Sequence, residues 1–463
     1  MRMGVGFGFP LAPAAPIGGT LYMLDEVAGG AAMYSFDPKS AAYSSPTAVV
    51  YQSGSPNDVY SSDDVKALLA GGQCYLGTWY DQSGNGYDLV QGTGANQPEI
   101  LEDANGYLYA DCVSGRFVQC TSFMGATTNT TMHIVWQTVS NDAGSPGMNS
   151  FQGAIDFAAS SAGNIFQAWW QSTQAPFLSN VGYSPFDWID RKPRQHTYKW
   201  LSGTESMWEF GSGTAHTNTT TNPTFARLTV GKNDFSNGNF RIYELGFFNR
   251  NADEATITAV HKNNFPLMYN IGTFRLNMGD SNTAAGYSNL AAQWTKKVYD
   301  SKSYTGTHFS RALGGRRIQD FLDGSEYLET LFNQFTFTSA TINIFLGTND
   351  LYTDSVSGAT AYSKLEALAD VFIALAAAKG VTLTINAVTM LPRVNSGGFT
   401  TTERNAFNTL LLANSNGKFT NVVDTTANAN LQDETNSTYF HPDQAHLTDT
   451  GQTELANTIA ATI

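Results

Sequence analysis

A change of texture near residue 268 constrains this chain more than any other feature of its sequence. From about residue 21 to 250, Gly, Ser, Thr, Asn and aromatic residues dominate. Short alternating runs recur there: Gln73 to Tyr80, Thr131 to Val139, Ile165 to Gln171, Thr197 to Leu201 and Phe240 to Phe248. Strands of this length with turn residues between them predict an all-β sandwich. From about residue 270 onward the apolar runs hardly alternate: FRLNMGD (274–280), TINIFLGT (341–348) and VTLTINAVTM (381–390). Helix-period segments separate them. The clearest aligns Leu365, Leu368, Ala369, Phe372, Leu375 and Ala376 and closes at Lys379 and Gly380. Buried strands alternating with helices predict a parallel sheet covered on both faces. The joint reads as a helix from Asp253 to Asn264 followed by Phe265-Pro266. The chain is therefore read as multidomain: an N-terminal attachment or extended segment (1–20), a β-sandwich (21–266) and an α/β domain (267–463).

Composition narrows the function. Of 463 residues, 25 are Lys or Arg and 39 are Asp or Glu, a net charge of −14. That balance argues against a nucleic-acid partner, which needs a clustered basic surface, and against an anionic membrane surface. With 42% hydrophobic and 14% charged residues the chain is globular, not disordered. No window approaches 18 uninterrupted apolar residues, which excludes a membrane-spanning helix. Three cysteines, Cys74, Cys112 and Cys120, cannot make a disulfide framework. Either Cys112 and Cys120 are bridged across a hairpin or all three are buried thiols. No Cys/His spacing suits zinc, and no metal or organic cofactor is called for. The first twenty residues have one Arg before an apolar stretch, but Gly and Pro interrupt it throughout, unlike a helix-competent secretion signal.

Three local signals in the second half carry chemistry. Gly279-Asp280-Ser281-Asn282 follows a buried strand, where a small residue lets the chain turn and present the Ser281 hydroxyl at the carboxyl edge of the sheet. Gly347-Thr348-Asn349-Asp350 follows another, and its Asn side chain can donate an N–H to a developing oxyanion. Read alone, that segment is a turn. The third is Asp443-Gln444-Ala445-His446, in which an Asp three residues before a His can orient and charge-stabilise the imidazole. Behind it, Asp449-x-x-Gln452 reads as a capping box opening a helix with Leu455, Ala456, Ile459 and Ala460 on one stripe.

With these blocks in this order, residues 270–463 resemble the SGNH (GDSL-type) hydrolase family, whose fold is a three-layer α/β arrangement around a parallel sheet. The resemblance implies Ser281 as nucleophile, and Asp443 and His446 as the remainder of a triad. It implies an oxyanion hole made by the N–H groups of Ser281 and Gly315 and by the Asn349 amide. Gly315 is favoured over Gly314 because the family's glycine precedes a helix with the Ile318-Gln319-Asp320-Phe321 pattern. The nucleophile block departs mildly, with Asn282 before Thr283 and Ala284. In the implied mechanism His446 accepts the Ser281 proton, Ser281 attacks an ester carbonyl, and water hydrolyses the acyl-enzyme. An Asp-paired imidazole predicts a rate that rises through an apparent pKa of about 6–7.

In the first half, Trp79-Tyr80-Asp81-Gln82-Ser83-Gly84-Asn85-Gly86-Tyr87-Asp88-Leu89 is the sharpest segment. Taken by itself it is a sandwich hairpin. Together with Gln97-Pro98-Glu99-Ile100 and with Arg241 to Arg250, it resembles concanavalin-like (LamG-type) jelly-roll domains, including that of B-type α-L-arabinofuranosidases. Glycoside hydrolysis needs two carboxylates placed about 5–10 Å apart. Asp156, Glu205, Glu209 and Glu244 are available, but none lies in a motif of the arabinofuranosidase site. Trp169, Trp170 and Trp208 could stack on sugar rings, although core packing is the commoner use of Trp.

These expectations combine into a serine esterase that O-deacetylates a polysaccharide, with a lectin-like accessory domain. The rivals are a lipid or aryl esterase, and a structural or adhesive virion tail protein with a degenerate hydrolase domain. The expected partner is an acylated polysaccharide, with neither nucleic acid nor membrane insertion; homo-oligomer or virion assembly stays open. The expected location is extracellular or virion (phage tail-associated), with a secreted bacterial enzyme as the alternative. If the sandwich only targets the enzyme, residues 270–463 alone should hydrolyse a small acetyl ester as fast as the whole chain.

Overall fold

The computed structural model describes residues 21–138 except 114 and 127–128, and 192–463 except 202–203, 210–211, 215–223, 226, 232–239, 285–291, 305 and 395. Between 139 and 191 it describes the strands Gly153–Asp156, Ile165–Gln167 and Phe177–Leu178. Every strand pairing described before residue 250 is antiparallel, and the strand Phe240–Phe248 is central, pairing with Gly30–Tyr34, Leu108–Cys112 and Asn129–Thr138. Phe240, Ile242, Leu245 and Phe247 enter one apolar core with Trp79, Trp136, Leu76 and Val50. The register slips between Val135 and Trp136, where they face Glu244 and Ile242. Such a bulge re-aims side chains, and Tyr243 joins a different core from its neighbours.

The Trp79–Leu89 segment is organised by its own acid. Asp81 accepts N–H bonds from Met33 and Ser83 through one oxygen, and bonds from Tyr87 N–H and the Ser83 hydroxyl through the other. This is the hairpin its residues suggested, with a buried Asp81 as its post. Cys74, Cys112 and Cys120 are buried and unbridged. Glu244 is fully buried, with Lys39 Nζ at 2.5 Å and His133 Nε2 at 3.2 Å. Burial alone would raise its pKa, but the Lys39 charge and the His133 hydrogen bond hold the carboxyl below its ordinary range. It is therefore committed to an internal ion pair rather than open to a sugar. Asp156, Glu205, Glu209 and Trp208 are described only as strand backbone, and Trp169 and Trp170 lie outside the described residues.

Five parallel strands follow, in the spatial order His308–Ala312, Thr273–Gly279, Ser339–Phe345, Thr382–Val388 and Asn421–Val423. The order reverses beside Thr273–Gly279, and ligands of open α/β sheets bind at such a switch point, outside the carboxyl ends of the strands. A ladder of amides, buried at Asn277, Asn343 and Asn386 and half-buried at Asn421, fixes the register. Asn343 donates to Asn277, Asn386 to Asn343 and Asn421 to Asn386, at 2.7–2.8 Å. A one-residue slip would break the whole ladder and bury unpaired amides, which is costly. The helix Gly358–Lys379 buries Leu365, Leu368, Ala369, Phe372 and Ala376, and Gly380 ends it in the left-handed region. The final helix, Asp449–Thr462, is capped by Thr448, whose side chain accepts from Gly451 N–H. The expected capping box is thus displaced by one residue, and Gln452 is spent elsewhere.

The two textures share a core. Tyr109, Val135 and Tyr243 from the antiparallel part pack in one apolar cluster with Phe265, Met268, Tyr269, Phe274 and Phe309. Arg194 is 1% exposed, donates to His308 O at 2.6 Å and lies over the Phe309 ring at 4.8 Å. All five residues of the outer parallel strand, His308–Ala312, are buried. An open sheet edge invites unwanted pairing; here the antiparallel part covers it. This contact speaks against the expectation that residues 270–463 behave as an independent enzyme.

Candidate active site

The first element of the site is the turn after Thr273–Gly279. A Cβ at position 279 would lie 2.0 Å from Thr283 Oγ1, so only glycine lets the chain fold back there. Thr283 and Ala284 N–H both donate to Asp280 O, which closes the turn and brings Ser281 to its outer side, partly exposed.

The second element is the turn Phe440–Leu447. His441 N–H donates to His446 O at 2.8 Å, and Asp443 Oδ1 accepts from the N–H groups of Ala445 and His446 at 3.0 and 3.1 Å. Those backbone bonds aim the second carboxylate oxygen, which meets His446 Nδ1 at 2.5 Å. The other imidazole nitrogen, Nε2, is 2.7 Å from Ser281 Oγ. Hydroxyl, imidazole and carboxylate thus form one continuous hydrogen-bonded line from residues 165 positions apart in sequence.

Asn282 holds the two turns together. Its amide accepts from Leu447 N–H at 3.0 Å and donates to Ala445 O at 3.1 Å, bracketing His446 on both sides. Gln452 donates to Asn282 O and accepts from Trp294 N–H. The residue that looked like a mild departure in the nucleophile block is therefore a clamp. Neither role was visible in the sequence, because each depends on which loop lies opposite.

The third element joins the glycine and asparagine blocks. Gly315 has φ +80, in the region that favours glycine, and follows the strand His308–Ala312. A Cβ at Gly314 would be 3.8 Å from Ser281 Cβ, so this turn runs directly beside the hydroxyl. Asn349, 8% exposed, donates one N–H of its amide to Arg316 O at 3.1 Å. An amide has a second N–H, and anchoring the first fixes its plane. Asp350 accepts from Ile318 N–H at 2.8 Å, pinning the helix that follows the glycines. That role for the Asp of the Gly-Thr-Asn-Asp block was also missed.

Electrostatics follow from burial. Burial lowers the His446 imidazole below its ordinary value against the opposing Asp443 bond and charge, and the charges of Arg393 and His441 lower it further. Asp443 is held below the carboxylate range: burial opposes this, but the His446 side chain and two backbone N–H bonds prevail. Burial pushes the Asp280 carboxyl up to about 6, against the Asn282 N–H and the Arg393 charge. An uncharged imidazole is the form that can accept a proton, so hydrolysis should increase with pH along an acid limb below the ordinary imidazole value of about 6.5. The downward shift moves the limb from the position that Asp pairing alone suggested. A kcat/KM profile on a neutral acetyl ester checks this, and a limb centred above pH 7 would contradict it. Among the described residues, no group of three or more His, Cys, Asp or Glu is arranged to hold a metal ion, and no helix is long and apolar enough to cross a membrane.

Residues 278–453 match the GDSL-like Lipase/Acylhydrolase family. The parallel-sheet part of the chain thus carries the match to GDSL-type hydrolases. No curated protein sequence matches the chain. Among solved structures, one similar to it is an arabinofuranosidase complexed with arabinofuranosyl-α-1,2-xylobiose, at 14% identity and a TM-score of 0.37, covering 50% of this chain and 62% of that one. A carbohydrate acetylesterase from Sinorhizobium meliloti matches at 17% identity and a TM-score of 0.32, over 41% of this chain and 97% of its own. A G-D-S-L family lipolytic protein from Veillonella parvula matches at 17% and 0.32, over 40% and 96%.

Proposed function

We propose that the chain is a serine ester hydrolase that removes O-acetyl groups from a polysaccharide. The observation that carries the hydrolytic part is the unbroken line Ser281–His446–Asp443, with distances of 2.7 and 2.5 Å. In this mechanism His446 Nε2 accepts the Ser281 proton as Oγ attacks the ester carbonyl. The N–H groups of Ser281 and Gly315 and the free N–H of Asn349 receive the negative oxygen. His446 returns the proton to the leaving alcohol, water repeats the attack, and acetate leaves. Asp443 keeps Nδ1 protonated, so that Nε2 is the basic nitrogen.

The first half is assigned as a lectin-like sandwich, with the chain dividing near residue 266 and residues 1–20 serving attachment. Its antiparallel sheets and aromatic, Gly-rich sequence support this. A cleft of about 560 Å³ supports a sugar ligand: Tyr107, Phe265, Asn105, Asn263 and Asn264 line it with aromatic and amide groups. Action on an acylated polysaccharide supports a location outside the cell, on a virion or as a secreted bacterial enzyme. Labelling with a fluorophosphonate and mapping the modified peptide tests the nucleophile, and acetate release from acetylated polysaccharides tests the substrate; label on any serine other than Ser281 would refute the assignment. Asn349→Ala should lower kcat by about 100-fold or more with KM nearly unchanged, as expected for a donor used mainly in the transition state. A loss appearing wholly in KM would make Asn349 a substrate-binding group instead.

A further inference from the structure

Two arginines stand beside the site, Arg316 in the glycine turn next to Ser281 and Arg393 with its charge acting on His446 and Asp280, and neither has a carboxylate within ion-pair distance among the described residues. The contrast with their neighbours is sharp in a chain with 39 acidic and 25 basic residues. Arg317 bonds Asp320 and Asp354, and Lys364 lies near Asp350 and Asp354. Arg316, next in sequence, has no such partner, and neither has Arg393.

Arg393 is placed deliberately. It follows the strand Thr382–Val388, and the next residue, Val394, donates its N–H to Gln444 O within the Asp443–His446 turn. The guanidinium lies 4.0 Å from the ring centre of Tyr352 and 5.7 Å from that of Phe399. Tyr352 ends the short helix that begins with Thr348 and Asn349. The Arg393 Nε is buried without a hydrogen-bond partner. Arg316 stands on the other side, next to the two glycines that run beside Ser281. The strands preceding the two arginines lie on opposite sides of the pair that ends in Ser281 and Asn349.

The Arg393 charge reaches the buried Asp280 carboxyl without forming an ion pair with it, and a planar, always-charged fork not spent on an internal ion pair matches an oxyanion from outside. We propose that Arg393, assisted by Arg316, binds an anionic group of the substrate, so that the ester hydrolysed is carried by a carboxylate- or phosphate-bearing sugar. This inference rests on the hydrolase assignment above and specifies its substrate class. The charge of Arg393 also reaches His446, favouring the neutral base. A bound anion offsets that charge while it holds the ester at Ser281.

The test uses the full chain and four probes: p-nitrophenyl acetate, an O-acetylated methyl glucoside, an O-acetylated methyl galacturonide and O-acetylated glucose 6-phosphate. The expected result is a kcat/KM for one of the anionic sugars about 10- to 100-fold above that for the neutral sugar, the range of a charge-assisted hydrogen bond. Whichever anion is preferred identifies the source. Arg393→Gln should reduce that ratio by about 10-fold or more, chiefly through KM. Arg393→Lys should restore part of it, and added salt should shrink it in the wild type. Using the ratio cancels any shift in His446 titration common to both substrates. Equal rates on charged and neutral sugars by the wild type would overturn the proposal. So would an Arg393→Gln loss identical on both, which would reduce Arg393 to a prop for Tyr352 and Phe399. Failure of the wild type to hydrolyse p-nitrophenyl acetate at all would instead overturn the hydrolase assignment itself.

Discussion

Ser281→Ala should abolish hydrolysis of p-nitrophenyl acetate while leaving the fold intact. Without the hydroxyl, no covalent acyl-enzyme can form, and the donors around the oxyanion are left to act on water alone. Losing a serine nucleophile of this kind costs about 10⁴-fold or more in kcat, and removing His446 as well should add little, because the two act as one unit. Stability should change by less than about 0.5 kcal/mol. The hydroxyl fills no core volume, and the His446 side chain it would leave is 18% exposed, open to water. Rate and thermal unfolding, measured on the same preparation, check both halves of the expectation. Residual activity within tenfold of the parent would remove Ser281 from the nucleophile role.

Cutting the chain at Phe265-Pro266 should give a hydrolase fragment that is insoluble or unfolded, not a smaller enzyme. The cut strips Tyr109, Val135 and Tyr243 from the cluster that contains Tyr269, Phe274 and Phe309. Removing one large buried aromatic already costs about 3–5 kcal/mol, and a typical domain has only about 5–15 kcal/mol in total. The cut also uncovers the edge strand His308–Ala312 and removes Arg194 from the His308 carbonyl. Soluble yield and near-ultraviolet circular dichroism of residues 266–463 decide the matter. A folded fragment as active as the whole chain on p-nitrophenyl acetate would show that the shared core is dispensable, and would favour a freely separable targeting module.

Much of the site was legible because its blocks are local. A Ser two residues after a strand-end glycine, an Asn in a Gly-x-Asn-Asp turn and an Asp-x-x-His near the C-terminus are each weak alone, and it is their conjunction in this order that points to one chemistry. Strand and helix positions were legible for the same reason: the run Phe240–Phe248 and the helix ending at Lys379 coincide with their sequence patterns. Asn282, Asp350, Gln452 and Arg393 were not, since their partners lie across a fold that no local pattern encodes. The sequence could count 25 basic residues, but it could not say which of them go unpaired.

The order of segments along the chain was legible in sequence alone: an aromatic-rich half of alternating runs, then buried strands, two of them followed by the Ser281 and Asn349 blocks. Periodicity and turn residues are properties of neighbours, and neighbours are what a sequence specifies. Tertiary structure decided the rest. It aligned Asn277, Asn343, Asn386 and Asn421 into one amide ladder, since an amide in a parallel sheet is satisfied only by the strand beside it. It placed Asn282 between Ala445 and Leu447. It also brought Tyr109, Val135 and Tyr243 into one apolar cluster with Phe265, Tyr269 and Phe274, because which apolar face meets which is decided by residues far apart in the chain.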